Sequence, residues 1–197
     1  MSWQARVRKA NAIVSAVMLL LFMLHGVGNA FEIIGVGTPT SKAIAYGALL
    51  LATVHAVAGV ALSVSDIASA RHTGEAGQAK QRAKQSHYVW RNARYWAVRV
   101  SGLSIAVLIG FHMLTFLQLG GTGAYRVREF DVPQLVQSLL LVVALAIHIL
   151  ANARPLMVSL GVPVPHARAL DMILVVAALL VLMAVAFVVY YLRWVVV

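Results

Sequence analysis

Residues 10–31, ANAIVSAVMLLLFMLHGVGNAF, decide the fold. At about 1.5 Å per residue, a helix of this length crosses the roughly 30 Å hydrocarbon core of a bilayer. One ionisable side chain, His25, lies deep within the run. Four more stretches read the same way: about Lys42 to Val64, Trp96 to Leu119, Pro133 to Ala153 and Leu170 to Leu192. The first three of these again hold one histidine apiece in the apolar part, His55, His112 and His148, and the last holds none. The sequence predicts an all-α integral membrane protein, a single domain over residues 1–197 built as a five-transmembrane-helix bundle.

Composition agrees. Of 197 residues 61% are hydrophobic and only 11% charged, where a soluble domain carries about a quarter charged residues. The net charge of +10 does not point to nucleic acid, because the cations lie in the connections between apolar segments. Twelve of the sixteen fall on one side: Arg6, Arg8, Lys9, Arg71, Lys80, Arg82, Lys84, Arg91, Arg94, Arg99, Arg154 and Arg168. Lys42, Arg126, Arg128 and Arg193 fall on the other. The positive-inside rule then puts the N-terminus inside and the C-terminus outside. Arg6, Arg8 and Lys9 ahead of an apolar run, with Gly28-Asn29-Ala30 behind it, loosely resemble a secretory signal; the segment reads instead as the first membrane helix. Pro133 suits a first helical turn. Pro155, Pro163 and Pro165 read as parts of a connection, as does the polar stretch from about Ser65 to Tyr95.

There are no cysteines. That excludes disulfides, thiolate-held iron–sulfur clusters and covalently attached c-type haem. Histidine remains as a metal ligand. Ionisable groups inside a bilayer are costly and are usually there for function, and four neutral imidazoles on four facing helices are what two bis-histidine haems require. Helical rise sorts them by depth. His25 and His112 lie about 22 Å from the inner end of their helices, His148 about 8 Å and His55 about 14 Å. They form an outer and an inner pair, each from two helices. Gly28, Gly59 and Ala144, each one turn from a histidine, offer room for a flat macrocycle. His72, His87 and His166 fall in inner connections and read as solvated. Arg91, Arg94, Tyr95, Trp96 and Arg99 make an interfacial belt, and Arg91, Arg94 and Arg99 are candidates to pair with haem propionates.

The pattern resembles the membrane anchor of succinate:quinone oxidoreductases and quinol:fumarate reductases, in the subtype with one five-helix chain and two b-type haems. Arg99-x-Ser101-Gly102, about ten residues before His112, also looks like sequence of that family. The resemblance implies that His25 with His112 binds an outer haem and His55 with His148 an inner one. It implies a quinone, with menaquinone expected, near the outer haem. It implies a flavoprotein and an iron–sulfur subunit docked on the inner face, and a multi-pass place in the inner (cytoplasmic) membrane of a bacterial cell. The chain itself shows no flavin motif or hydride-transfer residue, so dicarboxylate chemistry would belong to the partner. The family's proton-handling carboxylates have no secure counterpart; Glu32 at the outer face is the best substitute, with Glu129 and Asp131 behind it. Two other readings stand beside this one. A cytochrome b subunit of a hydrogenase or formate dehydrogenase, or a b561-type cytochrome, generally places two ligands on at least one helix. A histidine-lined proton or metal transporter would need a polar path.

Overall fold

The computed structural model describes residues 3–34, 42–72, 87–116, 130–162 and 166–196. They form five α-helices: α1 (Trp3–Ile33), α2 (Lys42–His72), α3 (His87–Phe116), α4 (Val132–Ser159) and α5 (His166–Val196). Each contains a stretch long and apolar enough to cross a membrane. The architecture is that of a multi-pass membrane protein.

The helices outrun their apolar cores. α1 already begins at Trp3, α2 continues through Ser65 and Asp66 to His72, and α3 starts at His87. Much of the stretch expected as a connection is therefore helical. Hydropathy marks the hydrocarbon slab, whereas a helix continues for as long as its backbone bonds are met.

Pro155 corrects the expected end of α4. It lies inside the helix, which runs on to Ser159. Proline has no N–H, so the carbonyl of Ala151, four residues back, loses its partner within the helix. Arg94 on α3 supplies one, donating from Nε to that carbonyl at 2.9 Å. The actual stop is a glycine cap. Val162 N–H bonds the Met157 carbonyl and Gly161 N–H the Val158 carbonyl, both at 3.1 Å. Gly161 sits at φ 74°, a left-handed conformation that glycine adopts without steric cost. At the other end of α4, Asp131 is the N-cap residue in extended backbone and Pro133 lies in the first turn, where a missing N–H costs nothing. Pro163, Pro165, Glu75, Lys80, Arg82, Lys84, Arg126, Arg128 and Glu129 lie outside the described residues.

α2 packs along α1 and α3 along α4, while α5 packs against both α1 and α4, which also touch. Cross-helix bonds fix the directions. Gln4 meets Ser65 and Ser15 meets His55, so α1 and α2 are antiparallel. Arg94 meets Ala151 and Gln137 meets Leu108, so α3 and α4 are antiparallel too. The bundle has a near end, which carries Trp3, and a far end, which carries Ile33.

The core joins Leu141, Val142 and Leu145 of α4 to Leu180 and Met183 of α5, with Phe22, Met23 and Val27 of α1 and Ile105, Leu108 and Ile109 of α3 against them. Gly26 makes this approach possible: a Cβ there would lie 2.5 Å from the Met183 methyl carbon and 2.7 Å from its sulfur. The outward faces stay apolar, as on α2 at Leu50, Val54, Val57, Val60 and Val64. Lipid tails are the natural cover for such faces.

Candidate functional site

Helix packing brings the four intramembrane histidines together in two groups. His55 on α2 and His148 on α4 have ring centroids 6.1 Å apart with ring planes at 88°. His25 on α1 and His112 on α3 lie close enough to interact electrostatically. The first pair is toward the near end, level with Asn11, Ser15 and Val98; the second is farther along α1 and α3. α5 backs the bundle and supplies apolar residues to its core.

The near pair has its tautomers fixed by neighbours. His55 Nδ1 lies 3.0 Å from Asn11 Oδ1 and 2.8 Å from Ser15 Oγ. Ser15 gives its own hydrogen to the Asn11 main-chain carbonyl at 2.7 Å, so toward His55 it accepts. His148 Nδ1 lies 3.1 Å from the Val98 carbonyl, which accepts only, and 3.2 Å from Ser101 Oγ. Ser101 in turn donates to the Ala97 carbonyl. Both Nδ1 atoms therefore carry hydrogen, and both Nε2 atoms keep a lone pair. This is the arrangement found where histidine binds a metal: one ring nitrogen is held by a fixed acceptor and the other is left to ligate. In the far pair, Asn29, one turn beyond His25, brings its amide nitrogen to 2.9 Å from His25 Nδ1. An amide nitrogen only donates, so His25 Nδ1 is the acceptor here, the reverse of Nδ1 in the near pair.

Asn11, Ser15 and Asn29 escape a reading of the sequence alone. Each is a small polar residue in an apolar run, and the partners of Asn11 and Ser15 sit on another helix. Asn29 had a signal, its four-residue spacing from His25. One glycine next to a histidine was not expected in that role. Gly102 is the one against His148, where a Cβ would lie 3.3 Å from Cε1. A Cβ on Gly59, one turn from His55, would meet nothing within 4 Å, so that face of α2 is open. Ala144 is buried in helix packing and does not line an opening.

The arginines are engaged. Arg94 is exposed and holds the Ala151 carbonyl. Arg99 lies 3.3 Å over the Tyr95 ring and donates to Ser63 Oγ at 3.2 Å, linking α3 to α2 on the near side of the histidine pair. The side chains of Arg91, His72, His87 and His166 lie outside the described residues. At the far end, ring contacts run from His112 to Phe187 at 6.3 Å, from Phe187 to Phe130 at 6.3 Å and from Phe130 to Tyr190 at 4.9 Å. Glu32 is exposed and lies near enough to Tyr190 to interact with it electrostatically. Asp131 is exposed at the start of α4.

No family model, curated protein or solved structure matches the chain.

Among the described residues, no group of three or more histidine, cysteine, aspartate or glutamate side chains gathers to hold a metal. A cation caged by protein alone takes three or four ligands. A pair of imidazoles suits a metal that brings its own equatorial nitrogens. With metal–imidazole bonds of about 2 Å, two rings on opposite sides of one metal have centroids about 6 Å apart. The 6.1 Å between His55 and His148 is compatible with that spacing.

Proposed function

We propose that this chain is a di-haem cytochrome b membrane anchor that carries electrons between membrane quinone and a soluble flavoprotein and iron–sulfur partner of the succinate dehydrogenase or fumarate reductase kind. One observation carries the reading: two histidines from separate helices stand 6.1 Å apart with their Nδ1 hydrogens held and their Nε2 lone pairs left to ligate. His55 and His148 would hold one haem b, His25 and His112 a second. Bound haem supplies one-electron transfer. The protein's part would be to hold the imidazole rings, exclude water with apolar helices, and offer cations at the near end, where Arg99 would be the partner for a propionate. With the near end inside, as the distribution of basic residues favours, the partner subunits dock there and the C-terminus lies outside. Menaquinone is the expected quinone, in a bacterial cytoplasmic membrane.

A histidine-lined transporter accounts less well for the same facts. Neutral imidazoles pinned by carbonyl and amide acceptors are poor proton shuttles, and the described residues include no protein cage for a cation. Pyridine haemochrome analysis of the purified protein is expected to give two b-type haems per chain. A haem-free preparation that is fully active in quinone turnover would sink the proposal.

Quinol oxidation releases two protons, and Glu32, beside Tyr190 at the far end, is placed to accept one. Glu32→Gln is expected to keep both haems and slow quinone-linked turnover on the order of tenfold to a hundredfold, toward the low side of general-base effects because water reaches an exposed position. Activity with an artificial acceptor acting on the soluble subunits should be unchanged. Normal quinone kinetics in this variant would remove Glu32 from the mechanism.

A further inference from the structure

Ser138 is 0% exposed, yet its hydroxyl meets no hydrogen-bond partner, and neither does the buried Oε1 of Gln134. Other hydroxyls in these helices turn back to the carbonyl four residues earlier: Ser15, Thr53, Ser63, Ser101 and Thr115. Ser138 does not. A buried polar group without a partner is costly, and two of them one helical turn apart on one face of α4 share a neighbourhood.

Their surroundings follow from the contacts on either side. One and two turns nearer the middle of α4, Leu141 and Leu145 pack with Leu180 and Met183. Toward the start of α4, Phe130 packs on Phe187 and Tyr190. Gln134 and Ser138 thus fall between two contacts with α5. Gln137, next to Ser138, donates to the Leu108 carbonyl at 3.4 Å and accepts from Thr115 at 3.3 Å, and these residues flank His112 along α3. The two unpartnered groups lie in the part of the bundle that holds the far histidine pair.

We propose that Gln134 and Ser138 bind a hydroxyl ligand inside the far half of the bundle. A hydroxyl satisfies both at once, donating to Gln134 Oε1 and accepting from the Ser138 O–H. Two sources share that chemistry, an internal water and the hydroxyl of a reduced quinone. The quinol source rests on the function proposed above; the water source does not.

The test uses the full-length protein in quinone-free vesicles, as wild type, Ser138→Ala, Gln134→Met and the double variant. A short-chain naphthoquinol is titrated by equilibrium dialysis, and thermal unfolding is followed with and without it. For a quinol hydroxyl, Kd rises about tenfold in each single variant, the loss of one hydrogen bond, and the double variant adds little, because both groups hold one ligand. For a water, quinol binding is unchanged, Ser138→Ala and Gln134→Met each lower Tm without quinol, and the double variant is again less than additive. The proposal is overturned if Ser138→Ala is as stable as wild type or more so and binds quinol unchanged, since removing a hydroxyl that has no ligand relieves its burial cost. Additive losses in Tm and Kd would also overturn it, by showing two independent packing effects. None of these readouts needs haem, so a failure of the haem assignment is seen separately in the haemochrome.

Discussion

If the proposed haem assignment holds, His55→Ala and His148→Ala are each expected to remove one and the same haem, so that the haemochrome falls from two haems per chain to about one. The expectation follows from the ring pair. The two imidazoles come from different helices and stand 6.1 Å apart, so neither has a substitute. His25→Ala and His112→Ala should together define the other haem, because those rings form the second group. Redox titration of the four variants separates the outcomes: two variants lose one midpoint and two lose the other. If His25→Ala and His55→Ala instead perturbed a common midpoint, the division into near and far pairs would be wrong.

Asn11→Leu combined with Ser15→Ala is expected to weaken the near haem by about 10- to 100-fold without touching a ligand, the usual scale for losing the groups that orient a metal-binding histidine. Asn11 Oδ1 and Ser15 Oγ together hold the His55 Nδ1 hydrogen. Without them the ring is released to turn, and hydrogen is free to move to Nε2, which removes the lone pair needed for ligation. Haem titration into the apoprotein measures the loss, and the far haem serves as the control within the same molecule. Equal affinity in variant and wild type would show that His55 is held by helix packing instead.

The five spans were legible because about twenty consecutive apolar residues match the thickness of a bilayer and exceed what a water-soluble helix needs. Helical rise sorted the histidines into two levels, and in the bundle His55 lies beside His148 and His25 near His112. Rotation about each helix axis was not legible. Gly28, Gly59 and Ala144 were expected to leave room beside the histidines; the space at Gly59 is open, Ala144 is buried in helix packing, and Gly102, not expected in this role, is the glycine whose missing Cβ leaves room for His148. The end of α4 was misread for a similar reason. Pro155 stops a helix unless something answers the Ala151 carbonyl, and that partner, Arg94, is 57 residues away in the chain. Asn11 and Ser15 look like incidental polar residues until α2 is packed on α1.

The bond between Arg94 and Ala151 has an electrical consequence. A carbonyl is a dipole, so it anchors the guanidinium without neutralising it. Arg99, held over the Tyr95 ring and against a serine hydroxyl, is likewise fixed by uncharged partners. Two full positive charges are therefore held in place at one rim of the bundle, where mobile cations would sample many positions. Fixed charge of one sign at a low-dielectric boundary focuses field into the adjoining water. An acidic surface approaching that rim is drawn in faster than diffusion alone allows, and the gain fades as salt shortens the reach of the field. The residue that lets a proline sit inside a membrane helix thus also contributes fixed positive charge to that rim.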